Sequence, residues 1–282
     1  MTLMTRLSYL ASSAVRGVGA DIKCPFDGST HTRLVKRKYL VTALYECQEC
    51  GLRFRVPKDT VQDNKTFYQD EYAQGFTTDL PDDGQLAQLT ATGFAGSPKD
   101  YAGYLKVLAA VGVLPGQRIF DFGASWGYGS WQFRQAGYAV YSYEISRPRA
   151  RYAAEKLGCT MLESVQSLSG PVDCFFSAHV LEHLPDPKIF WEAVSAALKP
   201  GGIILSFTPN GDPAYEQASP AAYHQQWGKV HPLMLTAQSY QQMARQYGCT
   251  GQTYSSPYDF SDLKRDGVSL TGSELLFVGR RA

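Results

Sequence analysis

Two groups of residues in this sequence have the types and spacing to do chemistry. The first lies in RIFDFGASWGYGS, residues 118–130, where an apolar run meets Asp121 and then Gly123, Gly127 and Gly129 around Ser125. Glycines between a strand and a helix let a backbone turn approach a ligand closely. A dinucleotide fingerprint would read GxGxxG and seat a pyrophosphate on the helix N-terminus, but this register differs, and the acid directly ahead of the glycines would repel a diphosphate at the same amides. A ligand without phosphates, bearing a sulfonium, an amine and a carboxylate, meets no such objection. The second group is Cys24, Cys47 and Cys50, in the segments CPFDG (24–28) and CQECG (47–51). Each has the form of a zinc knuckle, in which Gly eases a tight turn so that N–H groups can face thiolates. Asp27 stands where the first knuckle would carry its second Cys. A carboxylate can ligate zinc, so the set expected is Cys24, Asp27, Cys47 and Cys50, with His31 as an alternative fourth ligand. A closed four-ligand site would be structural. The competing reading is a metal-free ribbon held by its strands.

The elements that must position these residues follow from periodicity. From 97 onward, SPKDYAGYLKVLAAVGV is predicted to start a helix at 98, with Ser97 as N-cap, Pro98 at the first helical position and Asp100 in the first turn. QRIFDFG follows as a short strand. Then come YAVYSYEIS, a helix over about 148–157, TMLES, VDCFFSA, a helix over about 187–198, and IILSFTP after KPGG. A helix over about 236–247 and strands near 252–258 and 273–280 end the chain. This alternation implies an α/β fold, a doubly wound, mostly parallel sheet with helices on both faces. Ligands of such sheets sit beyond the carboxyl ends of the strands where strand order reverses, and the loop at 121–129 occupies that place.

The remainder divides into smaller units. Leu3, Leu7, Leu10, Ala14 and Val18 recur at helical spacing, so 1–20 reads as a packed amphipathic helix. Residues 21–58 form a zinc-ribbon-like subdomain with strands in RLVKRKYLVTALYEC and LRFRVP. Residues 59–96, rich in polar residues, glycine and aromatics, read as a linker or cap, in which Tyr68 and Tyr72 share a helical face. Residues 97–282 form the core, with an insertion at about 211–235 expected to cover the acceptor.

Composition bounds the function. With 282 residues and 44% hydrophobic content the chain can bury a full core. A net charge of +1, from 27 basic and 26 acidic residues, argues against a general electrostatic grip on nucleic acid or an acidic membrane. No stretch approaches the roughly 18 unbroken apolar residues of a membrane-spanning helix. Cys159, Cys174 and Cys249 lie in apolar surroundings and read as buried free thiols. A chain of this size without a signal peptide is no secreted disulfide scaffold, which places the expectation in the cytoplasm.

The strand, the acid and the glycine turn together resemble the class I S-adenosylmethionine-dependent methyltransferases, whose first motif runs apolar strand, Asp or Glu, any residue, GxGxG. Ser125 replaces the central Gly. Glu144, ending YAVYSYE 23 positions beyond Asp121, matches the acid that accepts hydrogen bonds from both ribose hydroxyls in that family. VDCFFSAHVLEHLPDP and LKPGGIILSFTPN resemble its fourth strand and fifth-strand signature. The resemblance implies a Rossmann-like, seven-stranded methyltransferase core over roughly 98–282. It implies cofactor contacts from Asp121, Gly123, Ala124, Ser125, Gly127, Gly129, Glu144 and Ile145, from Glu163 or Ser164 near the adenine, and from His179. The knuckles followed by LRFRVP resemble a subgroup with a zinc-binding N-terminal region that modifies sugars, natural products and other small acceptors.

Methyl transfer is an in-line displacement at a sulfonium, so a base is needed only when the acceptor holds a proton. His179, His183 and His231 are the candidates, and His224 reads as exposed. HVLEH also resembles the ExxEH segment of ubiquinone-biosynthesis O-methyltransferases, associated with a divalent cation. His179 replaces the first Glu, which weakens the all-oxygen character that suits magnesium. The leading expectation is therefore methylation of a small molecule, above all on oxygen. Its rival is an RNA methyltransferase that grips substrate through the ribbon, where eight basic residues face four acidic ones over 21–58. That excess is modest for an RNA reader, so nucleic acid is the disfavoured partner. A noncatalytic adaptor is disfavoured by Asp121, Gly123 and Glu144, which a scaffold does not need.

Overall fold

The computed structural model describes residues 13–17, 19–58, 80–258 and 269–282. The helical spacing of Leu3, Leu7, Leu10 and Val18, and the Tyr68–Tyr72 pair, lie outside these residues. Residues 13–17 are helical.

Three strands open the chain: β1 (Thr32–Lys38), β2 (Thr42–Cys47) and β3 (Arg53–Val56). Helix α1 (Asp83–Ala91) follows inside the segment read as linker; Asp82 and Gln85 cap it reciprocally, side chain to backbone in both directions. Helix α2 (Ala102–Ala110) begins four residues later than the position 98 expected from Ser97. The reason is Asp100: its carboxylate accepts the N–H groups of Ala102 and Gly96, at 2.8 and 2.9 Å, and closes a separate turn before the helix.

The alternation then runs as expected: β4 (Arg118–Phe122), α3 (Tyr128–Gln135), β5 (Ala139–Tyr143), α4 (Arg147–Leu157), β6 (Met161–Leu162), β7 (Val172–Ala178), α5 (Lys188–Ala197) and β8 (Leu198–Pro209). Two short helices, α6 (Pro213–Ala218) and α7 (Pro220–Gln226), and the strand β9 (Leu233–Met234) occupy the insertion. The chain closes with α8 (Ala237–Gln246), β10 (Cys249–Ser255) and β11 (Glu274–Arg281).

Seven strands form the main sheet in the order β10-β11-β8-β7-β4-β5-β6. The β11 strand runs antiparallel to both neighbours and the rest are parallel. Strand order reverses between β4 and β7, so the crevice for a ligand opens beyond Phe122 and Ala178. Burial on both faces explains why β4 and β7 carry consecutive apolar residues, Ile119 and Phe120 in one and Cys174, Phe175 and Phe176 in the other, rather than strictly alternating ones.

The second sheet has four strands in the order β1-β2-β3-β9, and its last member comes from the insertion: Arg53 pairs with Met234 and Phe54 with Leu233. Phe26, Leu52, Phe54 and Val56 of the ribbon lie in the same buried cluster as Phe120, Phe175, Trp191 and Tyr240 of the main fold. Ribbon and sheet therefore share one apolar core.

Candidate functional site

The turn after β4 is held open by interlocking contacts. Gly123 and Ala124 both donate to the Tyr143 carbonyl at the end of β5, at 2.8 and 3.0 Å. Gly123 has φ +87°, and a Cβ there would lie 2.2 Å from a Val180 methyl. That position thus needs glycine twice over, for its left-handed backbone and for the close approach of the loop after β7 across the crevice. Gly127 and Gly129 admit Ala153 and the ring of Tyr101 at comparable distances, 2.7 and 2.2 Å from a notional Cβ.

Ser125 sits at φ +51°, the conformation that the family's central Gly takes at little cost. Its side chain compensates, since Arg149 Nη1 donates to Ser125 Oγ at 2.9 Å, and its N–H donates to Glu144 Oε2 at 2.8 Å. Glu144 Oε1 accepts from Ser146 N at 2.8 Å. Burial pushes the Glu144 carboxyl up, and these two backbone N–H groups work against that. The Ile145 N–H adds a third backbone donor to this carboxylate, whose two oxygens together can accept about four hydrogen bonds.

Asp121 lies in β4, one residue before the strand's end. Its carboxylate is buried beneath the turn, accepting from Ser130 Oγ at 2.5 Å, and Ser130 in turn contacts Ser142 Oγ at 2.9 Å. Burial pushes Asp121 up to about 7. Through Ser130 it ties α3 to β4 beneath the glycine turn. Ala124 and Ile145 flank Gly123 and Glu144, whereas Glu163 and Ser164 follow the edge strand β6, with Ser164 Oγ against Ser167 Oγ at 3.2 Å.

The three histidines gather on the other side of the crevice, where Leu181–His183 form a 3-10 turn after β7. His179, at φ +56°, places Nε2 2.7 Å from Glu274 Oε2 and Nδ1 3.4 Å from Glu182 Oε1. Burial opposes its charge, but the two carboxylates outweigh it and raise its pKa to about 10. Both ring nitrogens of His179 are thus turned to carboxylates, an arrangement that favours the cation over a base in this geometry. His183 donates from Nδ1 to the Val230 carbonyl at 2.7 Å, and burial lowers its pKa to about 4. His231 makes the same contact to the Gln226 carbonyl, at 2.7 Å, and its ring meets that of His183 edge-on with centroids 4.8 Å apart.

Three residues at this site escaped the sequence reading. Glu274 begins β11, and its Oε1 accepts from Tyr258 OH at 2.6 Å. Tyr104 packs edge-on to Phe207, with centroids 4.6 Å apart. Glu274 carries no local signal, because only the antiparallel register of β11 on β8 brings it opposite Pro209. Tyr104 did carry one: it lies three residues from Tyr101 on the helix that faces the glycine turn.

In the ribbon the two knuckles have the same geometry. Gly28 N donates to Cys24 O and Gly51 N to Cys47 O, at 3.0 and 2.9 Å, with φ +74° and +75° at the glycines. Cys24 Sγ lies 3.6 Å from Cys50 Sγ, and Cys47 Sγ lies 3.3 Å from Asp27 Oδ2. Donor atoms of Cys24, Asp27, Cys47 and Cys50 all fall within 4.8 Å of one another. Three sulfurs and a carboxylate at this spacing are compatible with tetrahedral zinc. His31 is turned outward onto Glu49 at 3.0 Å.

The insertion is pinned to this ribbon. Arg53, 2% exposed, meets Glu46 Oε2 at 2.8 Å, Glu216 Oε2 at 2.7 Å and Tyr223 OH at 2.8 Å. Lys36 meets Glu216 Oε1 at 2.8 Å, and Lys38 donates to the Trp227 carbonyl at 2.5 Å. Much of the basic excess of the ribbon is thus directed inward.

Comparison with known proteins agrees with this geometry. The profile of a family described as "Methyltransferase domain" matches residues 91–254. Ubiquinone biosynthesis O-methyltransferase of Dinoroseobacter shibae is 31% identical over 121 residues, covering 40% of this chain and 49% of that protein. Its counterpart in Xanthomonas campestris is 30% identical over 120 residues, 39% of this chain and 50% of that protein. The chain spans about half the length of these curated relatives. An S-adenosylmethionine-dependent methyltransferase of Clostridium acetobutylicum superposes with a TM-score of 0.50 at 11% identity, over 65% of this chain and 92% of that one, a likeness of fold. With the matched family covering more than half of the chain, the strand order and the glycine turn before Glu144 find their explanation: the chain belongs to the class I S-adenosylmethionine-dependent methyltransferase family.

Proposed function

We propose that this protein transfers the methyl group of S-adenosylmethionine to a hydroxyl oxygen of a small molecule. The observation that carries the reading is the lodging of the insertion against the ribbon by β3–β9 pairing and the Arg53 cluster, which brings His231 beside His183 at the carboxyl end of β7. A segment anchored in this way favours a compact acceptor over an open track for a polymer. The partial identity to ubiquinone biosynthesis O-methyltransferases supports oxygen as the acceptor atom.

In this reading Glu144 accepts both ribose hydroxyls, the turn 123–127 packs along the cofactor, and Glu163 or Ser164 borders the adenine. Bound S-adenosylmethionine supplies a methyl group on a positively charged sulfur. The protonated His179, between Glu182 and Glu274, orders the carboxylates lining the acceptor side. Zinc held by Cys24, Asp27, Cys47 and Cys50 would fix the knuckles and, through β3, the insertion. The domain division at 58 and 97 is part of the same proposal. The RNA-gripping alternative has less support, because Lys36, Lys38 and Arg53 are engaged by the insertion.

The test is calorimetric titration with S-adenosylmethionine, followed by acceptor pools of hydroxylated aromatics and sugars with release of S-adenosylhomocysteine as readout. Binding that Glu144→Ala weakens at least tenfold, with turnover on a low-molecular-weight alcohol or phenol, is the expected result. Unchanged affinity in Glu144→Ala, or turnover on RNA alone, would overturn it.

A further inference from the structure

Three tyrosines gather between the glycine turn and the carboxyl ends of β7 and β8. Tyr101 and Tyr128 meet edge-on with ring centroids 5.4 Å apart, and Tyr104 meets Tyr101 in the same way at 4.6 Å. Tyr101 and Tyr128 are already engaged by the protein. The Tyr101 ring fills the space that Gly129 leaves, where a Cβ would lie 2.2 Å from it, and Lys99 Nζ stands 5.1 Å from the centre of the Tyr128 ring. A ring that already carries an ammonium is a poor neighbour for a second cation.

Tyr104 differs from both. Its ring is wedged edge-on against Phe176 and Phe207, with centroids 5.5 and 4.6 Å away, so β7, β8 and Tyr101 together set its direction. Its hydroxyl makes no hydrogen bond among the described residues, and the groups that act on it are Glu274 and Glu182 on the acceptor side and Tyr128 beside the glycine turn. Burial and these neighbours hold the phenol far above its usual pKa, so the hydroxyl stays uncharged and offers its oxygen lone pairs. The wall beyond it, His179 between Glu182 and Glu274, sets one cation against two anions. An oxygen without other partners, backed by excess negative charge, is suited to receive weak donors such as C–H groups polarised by a positive sulfur.

We infer that Tyr104 is a catalytic residue that recognises the charge of the cofactor, its hydroxyl oxygen facing the sulfonium methyl group. The inference rests on the family assignment and on no particular acceptor. Methyl transfer leaves sulfur neutral and without its methyl, so an oxygen in this place interacts with S-adenosylmethionine and loses that interaction with S-adenosylhomocysteine. Tyr104 thereby favours substrate over product as well as aligning the group to be transferred. A tyrosine that only packed against Phe207 would serve both ligands alike.

The experiment is calorimetric titration of the full chain with S-adenosylmethionine and, separately, S-adenosylhomocysteine, for wild type, Tyr104→Phe and Tyr104→Leu. Tyr104→Phe keeps the ring against Phe207 and removes only the oxygen. It is expected to weaken S-adenosylmethionine roughly 5- to 30-fold, the range of a C–H hydrogen bond strengthened by charge, while S-adenosylhomocysteine stays within about twofold of wild type. Tyr104→Leu, which also loses the ring, should weaken both ligands and show at least the same fall in their affinity ratio. That ratio is the quantity a merely structural role leaves unmoved, and circular dichroism checks that both variants fold. Equal weakening of the two ligands in Tyr104→Phe, or no change in either, overturns this inference alone. A wild-type chain that binds neither ligand overturns the methyltransferase reading and this inference with it.

Discussion

At the scale of single residues, the environment decides what a motif residue does. Asp121 carries the family's acid, yet it is sealed under the turn and hydrogen-bonded to Ser130. Its folded pKa of about 7 lies above the usual 3.8, so the native state binds the extra proton, and its contribution to stability falls as pH rises from about 4 to about 7. Asp121→Asn, which still accepts from Ser130, should therefore flatten the fall in melting temperature across that window; an unchanged slope would count against the assignment. Gly123 makes a second residue-scale prediction. Gly123→Ala meets Val180 at 2.2 Å and should abolish measurable cofactor binding. Adding Val180→Ala removes the clash but not the positive φ, which costs an L-residue about 1–2 kcal/mol, so the double variant should bind roughly 5- to 30-fold more weakly than wild type.

At the scale of elements, β9 joins the insertion to the ribbon, and the Arg53 cluster fastens the joint. Arg53 is buried while Glu46 and Glu216 keep 16% and 18% exposure, so solvent screens part of the interaction. Removing the cation with Arg53→Met should still destabilise by about 3 kcal/mol, the low end for breaking a buried pair, because two carboxylates lose their partner. Denaturant titration measures that loss. Limited proteolysis should locate the first cleavages within α6 and α7, the short helices that Arg53 holds through Glu216 and Tyr223.

At the scale of the whole molecule, the ribbon is no appendage, since its apolar residues share a core with β4, β7 and α5. If zinc holds the knuckles, its removal should lower the melting temperature of the entire fold in one cooperative transition rather than release a separate early one. Calorimetry before and after chelation distinguishes the two outcomes. Chelation should weaken S-adenosylmethionine binding far less than Glu144→Ala does, because the ribbon pairs with the insertion through β3 and β9 whereas Glu144 bonds the glycine turn itself.

Much of this was legible in the sequence, because it depends on local rules. Alternating apolar strands and amphipathic helices specified the doubly wound sheet from 118 to 209, and turn chemistry specified both knuckles and the glycine loop before Glu144. The start of α2 differs from the sequence reading, since Ser97 accepts from Lys99 N and Asp100 from Ala102 N and Gly96 N, two successive turns whose order only the folded chain shows. What the tertiary structure alone decided is long-range: the pairing of β3 with β9, the arrival of Glu274 beside His179, and the meeting of Glu182, His183 and His231. Periodicity reports which face of an element is apolar, but not which distant element covers it, and a charge buried by folding takes its partners from whatever the chain topology brings there.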